Sequence, residues 1–344
     1  MQAVRIEAHG PPEVLKIVDL PRPKPGPGEA LVRVLAVSIN RLDLFVRNGA
    51  PGVQLPLPLI PGCDGTGEIV ELGPGVTGWK TGQKVMIEPG ASSGKSAHDL
   101  AGDDHLSDDY QIRGEHFDGL DREFVAIEAR YLRALPAGVD PVTTAATPLV
   151  FLTAWGMLVT RARVQKGETV LVLGGSSGVG SAAIQVARDA GARVVATSGS
   201  ESKARLCREL GAHDVVDHTQ ADWGQAARKL SGGRGFDVVV EHVGPATWDT
   251  SMKVLGRNGR LVTCGGTTGL KVQIALAHLF IKNQSVLGST MGPRSAFPAI
   301  LDRIARGVFK PVVDRVMPLS KVAEAHALLE GRKVLGKIVL TPGS

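Results

Sequence analysis

The sequence is poor in aromatic residues and cysteine, and it contains no long apolar run. Aromatic residues make up 4% of its 344 residues, and its three cysteines are an odd number. We therefore expect reduced thiols and a cytoplasmic protein rather than a disulfide framework. A membrane span needs about 20 consecutive apolar residues, so no membrane contact is expected. The start, MQAVRIEAHG, also lacks the charged and apolar segments of a secretory signal.

Charge of one sign is not concentrated anywhere in the chain. The formal net charge is +5, and no block of Lys and Arg with interleaved aromatic residues occurs. Nucleic acid is therefore not expected as a partner, while the small basic excess suits an anionic cofactor. The 43 glycines and 21 prolines predict many turns, and the length allows two domains with separate cores.

The stretch from Thr169 to Lys203 organises the rest of the sequence. Thr169–Leu173 is typical of a buried strand, and a glycine-rich turn follows it. Ser181–Ala190 then has apolar residues at helical spacing, and Arg193–Ala196 begins a second buried strand. This is the strand, helix and strand order of a parallel crossover.

The glycine-rich turn is similar to a dinucleotide fingerprint. The pattern G-x-G-x-x-G places Gly175 first, Ser177 in the middle and Gly180 third, with an extra glycine at Gly178. Glycine and a small serine leave room for a pyrophosphate, which would lie at the positive end of the helix. An ordinary tight turn is the alternative, but the flanking strands and helix favour nucleotide binding.

The end of the second strand favours NADP(H) over NAD(H). An NAD site usually carries Asp or Glu there, whereas this chain has Ser198 and Gly199, with Lys203 one turn on. Hydroxyls and an ammonium can hold a 2′-phosphate. The alternative is that Lys203 is solvated and the site accepts either cofactor. The candidate cofactor-binding residues are Thr153, Gly175, Ser177, Gly178, Val179, Gly180, Ser198, Gly199, Lys203, Val243, Gly265, Ser289, Thr290 and Lys337.

The chain changes character near Asp140. Residues 1–127 predict short strands in a compact, barrel-like arrangement, with a helix over Asn40–Asn48. Pro141–Thr160 predicts one buried helix. Apolar strands then alternate with helices, which predicts an α/β fold with a doubly wound parallel sheet. We expect its strands at Thr169–Leu173, Arg193–Ala196, Asp214–Asp217, Asp237–Glu241, Arg260–Thr263 and Ser285–Leu287.

Several motifs together resemble the medium-chain dehydrogenase/reductase superfamily over essentially the whole length. The resemblance implies a GroES-like β-barrel catalytic domain, residues 1–127 with 292–344, and a Rossmann NADP-binding domain, residues 128–291. It also implies an active site in the cleft between these domains. The motifs are Pro61–Val76 (PGCDGTGEIVELGPGV), Gly82–Met86, Leu152–Trp155 (LTAW), Gly259–Gly266 (GRLVTCGG) and Gly336–Leu340 (GKIVL).

The residues at the superfamily's catalytic zinc positions depart from a zinc site. Asn40 stands at the first ligand position, and the pair Cys63 and Asp64 stands at the next. No Cys, His, Asp or Glu occurs near Pro148–Leu152, where a third ligand would fall. Zinc needs three such ligands. The sequence therefore looks most like the zinc-free quinone oxidoreductase branch.

The segment from Pro89 to Glu123, which we call the serine lobe, departs in the same way. Relatives with a structural zinc carry four cysteines there, and the same spacing here gives Ser93, Ser96, Asp99 and Ser107. A serine hydroxyl is a poor zinc ligand, so we expect no metal. His98, His105 and His116 offer an alternative site, although solvated loop histidines are the favoured interpretation.

The resemblance implies an NADPH-dependent enzyme that transfers hydride to a small quinone or α,β-unsaturated carbonyl compound without a metal. The candidate catalytic residues are Asn40, Asp43, Asp64 and Thr153. Asn40 would hydrogen-bond a carbonyl oxygen, and Thr153 the nicotinamide carboxamide or the substrate. The alternative for both aspartates is hydrogen bonding to nearby backbone amides. Two other functions stay open: a zinc-dependent alcohol dehydrogenase and a non-catalytic, crystallin-like NADPH-binding protein.

The segment Gln284–Ser289 predicts assembly. As the last strand of the sheet it would leave an unpaired edge in a monomer. Pairing of such edges, as in the superfamily, predicts a homodimer or a homotetramer.

Overall fold

The computed structural model describes residues 1–49 and 55–343. No helix within these residues is long and apolar enough to cross a membrane. The strands are β1 (Gln2–Arg5), β2 (Lys16–Asp19), β3 (Glu29–Ser38), β4 (Asp64–Leu72), β5 (Lys84–Ile87), β6 (Gly90–Ala91), β7 (Gln111–Ile112), β8 (Phe124–Glu128), β9 (Leu132–Ala134), β10 (Thr169–Val172), β11 (Arg193–Ser198), β12 (Asp214–Asp217), β13 (Phe236–Glu241), β14 (Leu255–Thr263), β15 (Ser285–Gly288), β16 (Val313–Pro318) and β17 (Lys337–Thr341).

Helices fall mostly in the second half of the chain. Beside them there are short 3₁₀ turns and one π-helical turn, Gly156–Arg161. The α-helices are α1 (Arg41–Asn48), α2 (Ala97–Ala101), α3 (Pro141–Thr144), α4 (Pro148–Trp155), α5 (Gly178–Asp189), α6 (Glu201–Glu209), α7 (Trp223–Leu230), α8 (Pro245–Val254), α9 (Leu276–Lys282), α10 (Phe297–Ala305) and α11 (Val322–Glu330).

The chain forms two compact units. The first unit comprises Met1–Leu149, Phe297–Ala305 and Pro311–Ser344, and the second comprises Val150–Ala296 and Arg306–Lys310. These bounds differ from the expected ones, because β9 pairs with β5 and so keeps residues 128–149 in the first unit. Residues 306–310 join the second unit, where the ring of Phe309 stacks on Phe151 with centroids 5.1 Å apart.

The first unit is built on a seven-stranded sheet with the order β16-β17-β3-β4-β5-β9, with β8 also paired to β3. β3 is the central strand, because it pairs antiparallel with β4, β8 and β17. Its alternating side chains bury Val32 and Val34 together with Ile69 of β4 and Ile338 of β17. Pairing of β3 with β17 brings residues from the beginning and the end of the sequence together.

The second unit contains a six-stranded parallel sheet with the order β12-β11-β10-β13-β14-β15. All six strands were expected from the sequence. Their ends differ from the expected ones by at most two residues, except at the start of β14, which lies five residues earlier. The strands could be predicted because runs such as Val170–Val172 are apolar and buried on both faces. The chain moves outwards from β10 to β12 and then returns to the other side at β13. This reversal is the topological switch point at which open α/β sheets bind ligands.

The expected helix over Pro141–Thr160 is interrupted. α3 ends at Thr144, α4 begins at Pro148, and a π-helical turn follows Trp155. Pro148 lacks a backbone N–H and disfavours helical geometry in the residue before it, which explains the first break. The burial was predicted correctly, since Phe151 and Leu152 are almost completely buried.

Candidate functional site

The glycine-rich turn joins β10 to α5 in the second unit and fits a dinucleotide. Ser177 caps α5 by accepting a hydrogen bond from the Gly180 N–H at 3.0 Å. A Cβ on Gly180 would lie 2.3 Å from the Gly174 carbonyl oxygen, and one on Gly175 would lie 2.8 Å from the Cys207 sulfur. Close packing therefore requires both outer glycines. Gly178 and Val179 form the first turn of α5, at the positive end that favours a pyrophosphate.

The end of β11 is hydrogen-bonded to this turn. The Thr197 hydroxyl accepts a hydrogen bond from the Gly174 N–H at 3.0 Å. Next to it, the buried Ser198 hydroxyl donates to the Ser200 carbonyl at 3.4 Å, and Ser200 caps α6. The nearest acidic residue along the sequence, Glu201, pairs with Arg208 on α6 at 2.9 Å. Asp217 of β12 stands opposite Ser198 in the sheet, and its carboxylate accepts hydrogen bonds from the N–H and the hydroxyl of Thr219. The predicted cofactor contacts of Ser198, Gly199 and Lys203 stay a prediction.

His218 is a candidate that the sequence analysis missed. It directly follows β12, and its Nδ1 lies 3.3 Å from the Thr197 hydroxyl. Its Nε2 lies 3.1 Å from the position that a Cβ on Gly199 would occupy. An imidazole beside Ser198 can donate to a phosphate. Its position after a strand that neighbours β11 was the available signal, because parallel strands end at the same edge of the sheet.

Glu241 was also missed, and it orders the loop that holds Val243. This fully buried carboxylate ends β13 and accepts four hydrogen bonds. They come from the N–H groups of Val243 and Gly244, at 2.6 and 2.9 Å, and from the hydroxyls of Thr247 and Ser251, each at 2.8 Å. These bonds satisfy a charge that would otherwise be costly to bury.

The remaining candidates of the second unit lie at the same edge of its sheet. Gly265 follows β14 and has open space where a Cβ would stand. Ser289 follows β15, and its N–H donates to the Thr263 carbonyl at 2.9 Å. On α4, the buried Thr153 hydroxyl is 3.9 Å from the sulfur of Met291, the residue after Thr290. Thr153 thus lies beside the segment that follows β15, and the roles of Thr153, Ser289 and Thr290 at the nicotinamide stay predictions.

In the first unit, three segments bring polar side chains into the interior. β3 ends before Asn40, β4 begins with Asp64 opposite Ser38, and β17 begins with Lys337. We call Ser38, Asn40, Asp43, Cys63, Asp64 and Lys337 the buried polar cluster. All six side chains are buried.

Asp64 accepts three hydrogen bonds in this cluster. One of its oxygens accepts from the Ser38 hydroxyl and from the Asn40 amide, each at 2.8 Å. The other accepts from the Leu149 backbone N–H at 3.1 Å. The alternative role of backbone hydrogen bonding thus applies to Asp64 in part. It also applies to Asp43, which accepts from the Asn40 backbone N–H at 2.6 Å at the start of α1.

Asn40 uses both ends of its amide inside the cluster. Its Nδ2 donates to the Ser38 carbonyl at 3.2 Å, to the Cys63 sulfur at 3.2 Å and to Asp64 at 2.8 Å. Its Oδ1 accepts from the Lys337 ammonium. An ammonium only donates, so the oxygen of Asn40 must face it. Lys337, expected at the cofactor, is therefore bonded to Asn40.

Burial shifts the pKa of several groups in and near the cluster. It raises the pKa of Asp43 to about 7, against the opposing effect of the hydrogen bond from Asn40. It also raises the pKa of the Cys63 thiol well above its ordinary value. Asp121, which the sequence analysis did not single out, is buried nearby, and burial together with Asp43 and Asp64 raises its pKa well above the usual range. Burial therefore favours the neutral forms of Asp43, Asp121 and the Cys63 thiol.

These residues do not fit a catalytic zinc. Both oxygens of Asp64 already accept hydrogen bonds, and Asn40 donates an N–H to the Cys63 sulfur. The chain supplies no third donor from 148–152. Within residues 1–49 and 55–343, no group of three or more His, Cys, Asp or Glu side chains is arranged to hold a metal ion.

The serine lobe holds its four zinc-spaced residues by hydrogen bonds. The Ser107 hydroxyl lies 2.8 Å from that of Ser96, 3.2 Å from Asp99 and 2.6 Å from Asp109. Asp109 in turn accepts from the Ser93 N–H at 3.1 Å. Hydroxyls and carboxylates thus hold the segments of this lobe together by hydrogen bonds.

Comparisons with known proteins agree with the fold. The alcohol dehydrogenase GroES-like domain matches residues 26–137, and the zinc-binding dehydrogenase family matches residues 178–306. A quinone oxidoreductase of Pongo abelii is 30% identical over 99% of this chain and 97% of that protein. An acryloyl-coenzyme A reductase of Metallosphaera sedula is 28% identical over 99% of this chain and 100% of that protein. A solved structure of an NAD-dependent alcohol dehydrogenase is 44% identical, with a TM-score of 0.96 and both chains covered completely.

The chain belongs to the medium-chain dehydrogenase/reductase superfamily. The predicted superfamily and the predicted fold, a Rossmann sheet with a GroES-like domain, are confirmed. The chain is an oxidoreductase of this superfamily, and its cofactor is a nicotinamide dinucleotide.

Proposed function

We propose that this chain uses NADPH to reduce quinones or α,β-unsaturated carbonyl compounds without a catalytic metal. The observation that carries the proposal is the hydrogen bonding among the side chains of Asn40, Cys63 and Asp64. They stand at the zinc-ligand positions of the superfamily, and they are hydrogen-bonded to one another instead. The donor set thus supports a reaction that does not depend on a Lewis acid.

Conjugated acceptors suit such a site better than alcohols. A simple alcohol is a weak acid, and its oxidation needs a metal or a base to remove the hydroxyl proton. Reduction of a conjugated carbonyl spreads the developing charge, so hydrogen bonds and solvent protons suffice. The names of the quinone oxidoreductase and acryloyl-coenzyme A reductase relatives are consistent with acceptors of this kind.

Residues of the second unit would hold the cofactor, which supplies the hydride when bound. Backbone groups from Gly175 to Gly180 would bind the pyrophosphate at the start of α5. Ser198, Lys203 and His218 would bind the 2′-phosphate, and Thr153 would orient the nicotinamide with Ser289 and Thr290. In the first unit, the buried polar cluster would stabilise negative charge on the acceptor.

A steady-state assay tests the acceptor class. We expect NADPH to be consumed, by its absorbance, with quinones and unsaturated ketones, and no oxidation of simple alcohols with NADP⁺ or NAD⁺. Metal analysis of the same preparation should find well below one zinc per chain. Alcohol oxidation that depends on stoichiometric zinc would overturn the proposal and favour the alcohol dehydrogenase alternative, for which the 44% identical neighbour is named.

A charge variant tests the preference for NADPH. Ser198→Asp places a carboxylate beside the expected 2′-phosphate, so we expect NADPH affinity to fall about tenfold or more while NADH binding is kept. Ser202→Asp is the matched control, since it adds the same charge at an exposed position of α6. Calorimetry measures both. Equal affinity of the wild type for NADPH and NADH would remove the preference, in line with the NAD named for the solved neighbour.

A non-catalytic role is distinguished by the same measurements. A crystallin-like protein would bind NADPH in calorimetry but consume none with any acceptor. The wild type therefore has to be assayed with a broad set of quinones and enones before turnover is declared absent.

We also propose a homodimer formed through the edge of the second unit's sheet. β15 is the edge strand, and α9 beside it exposes large apolar side chains, with Leu276 70% and Phe280 69% exposed. A second copy would cover both features. Light scattering at micromolar concentration should give the mass of a dimer or a tetramer, and Phe280→Glu should shift it towards the monomer. A monomeric wild type would contradict this proposal.

A further inference from the structure

We propose that Lys337, rather than Asn40, donates the hydrogen bond to the acceptor oxygen on which negative charge develops. Asn40 and Asp64 are then positioning residues that act through Lys337. This inference rests on the proposed reduction of conjugated carbonyl compounds, and it names the donor that this reaction requires.

Asn40 has no N–H to spare for a substrate. Its amide carries two protons, and three acceptors surround its nitrogen: the Ser38 carbonyl, the Cys63 sulfur and Asp64. A bond from Asn40 to a substrate would break at least one of these and leave a buried acceptor with a poorer partner, which is costly. The expectation that Asn40 binds the carbonyl oxygen therefore conflicts with its hydrogen bonds.

Lys337 does have donors to spare. Its ammonium carries three N–H groups, and within the described residues one side-chain acceptor, Asn40 Oδ1, receives a hydrogen bond from it. Lys337 is the first residue of β17. This strand pairs with the end of β3, two residues before Asn40. Asn40 holds the ammonium in place, so a substrate oxygen would meet a preorganised cation.

Burial makes this cation effective. Lys337 is 3% exposed and Asn40 is 4% exposed, so little water screens the ammonium. A charge acts much more strongly on an oxyanion in such surroundings than in bulk water. Asp43 lies close enough to interact with this ammonium, because Lys337 lowers the pKa of Asp43 against the larger effect of burial.

The reaction balances with Lys337 as a hydrogen-bond donor that keeps its proton. Hydride from the bound nicotinamide dinucleotide forms a C–H bond at the conjugated carbon, and the carbon–carbon π bond breaks. The carbon–carbon π pair becomes a π bond between the α-carbon and the carbonyl carbon, and the carbonyl π pair moves onto the oxygen, where Lys337 stabilises the resulting enolate. Water then gives a proton to the α-carbon, the carbonyl π bond forms again and hydroxide is released, which completes a two-electron reduction by the dinucleotide.

Two acceptors and two variants separate this role from others. An enone produces a more basic oxyanion than 1,4-benzoquinone, so it depends more on a strong donor. We expect Lys337→Met to lower kcat/KM about a hundredfold with an unsaturated ketone, and about tenfold or less with 1,4-benzoquinone. Lys337→Arg, which keeps the charge, should recover part of the loss. Lys333→Met, at an exposed position, is the matched control and should change neither value.

Loss of a buried cation could also destabilise the fold, so a charge-balanced pair accompanies the test. Asp64→Asn together with Lys337→Met removes one charge of each sign. It is compared with Asp64→Asn alone, and thermal unfolding is measured for each protein. The additional loss of activity on changing Lys337 should again be larger with the enone.

The binding of NADPH, followed by its fluorescence, decides between the remaining roles. We expect its Kd to change less than twofold in Lys337→Met. A large increase in Kd would make Lys337 a cofactor-binding residue, and an equal loss with both acceptors would make it structural. Either result overturns the inference. A wild type that reduces neither acceptor would instead refute the proposed function, before any variant is made.

Discussion

The buried polar cluster and the serine lobe lie at the two places where the resemblance to the superfamily predicts the zinc sites of metal-dependent members, and they shift the pKa of a carboxylate in opposite directions. Burial raises the pKa of Asp43 in the cluster to about 7. In the lobe, hydrogen bonds, with that from Ser92 the largest effect, lower the pKa of Asp99 to about 2. One region excludes water from its charges, and the other surrounds a partly exposed charge with hydroxyl donors.

The two regions therefore use different interactions at positions where the resemblance predicts the same metal. In the lobe, Ser92, Ser96 and Ser107 direct donors at one carboxylate, which holds loop segments together. In the cluster, Asn40 and Asp64 form a network that includes a cation, Lys337. The first arrangement is suited to structural support, and the second to stabilising charge on a reactant.

Removing one carboxylate from each region should give the largest contrast. Asp64→Ala leaves the Ser38 hydroxyl, an Asn40 N–H and the Leu149 N–H without their acceptor in the interior. Each such loss costs about 1–3 kcal/mol, so we expect the free energy of unfolding to fall by about 3 kcal/mol or more. Asp99→Ala should cost less than a third as much, because water can replace a partly exposed carboxylate. Urea unfolding measures both, and similar losses would refute the contrast.

The opposite pKa shifts predict opposite dependence of stability on pH. Asp43 keeps its proton in the native state up to about pH 7, whereas an unfolded aspartate releases it near pH 4. The free energy of unfolding should therefore fall as the pH rises through this interval and then level off. Asp43→Asn should make this fall smaller, with the remainder due to Asp121.

Asp99 should affect the free energy of unfolding at a lower pH than Asp43 does. Its lowered pKa contributes stability above about pH 4, which is lost as the pH falls towards about 2. Asp99→Asn should reduce the loss of stability in acid and leave the profile near neutrality unchanged. Urea unfolding across the pH range measures both variants. The same profile for Asp43→Asn and for the wild type would contradict the assignment of Asp43.

Hydrogen exchange should detect a local effect in the lobe. Ser107→Ala removes the hydroxyl that joins Ser96, Asp99 and Asp109. We expect faster amide exchange across residues 92–112 with little change in global stability. Ser202→Ala, at an exposed position of α6 outside the lobe, is the control. Unchanged exchange in Ser107→Ala would mean that packing alone holds the lobe.

Chelation should have the smallest effect. Since hydroxyls and carboxylates hold both regions by hydrogen bonds, EDTA should change neither the melting temperature nor the rate of quinone reduction. Differential scanning fluorimetry and the NADPH assay measure these quantities. A clear drop in either after dialysis, reversed by zinc, would mean that a metal contributes to one of the two regions.

The sequence predicts most of the second unit, because its signals are local. Short apolar runs such as Val170–Val172 indicate strands buried on both faces, and glycine spacing marks the turn before α5. The break before Pro148 was missed, because one helix was expected over Pro141–Thr160, although proline lacks the N–H that a continuous helix needs. The bounds of the first unit were not readable, because the three-residue strand β9 is defined by its pairing with β5.

Only part of the candidate site could be predicted, because only part of it is marked by local sequence patterns. Asn40, Asp43 and Asp64 were identified from their positions, and the structure gathers them in the first unit. The bond from Lys337 to Asn40 joins residues 297 positions apart, so no local pattern announces it. His218 follows β12 and Glu241 is the last residue of β13, and the position of such single residues relative to the site can be inferred only when the strand order is known.

The pairing of β3 with β17 has a consequence for the order in which the protein is made. Residues 150–296 form almost all of the second unit, so that unit can fold on the ribosome as soon as they emerge. The first unit begins earlier but must wait for residues 337–341 to complete its sheet. Lys337 arrives with that strand, so the side-chain oxygen of Asn40 lacks its ammonium partner until synthesis reaches β17.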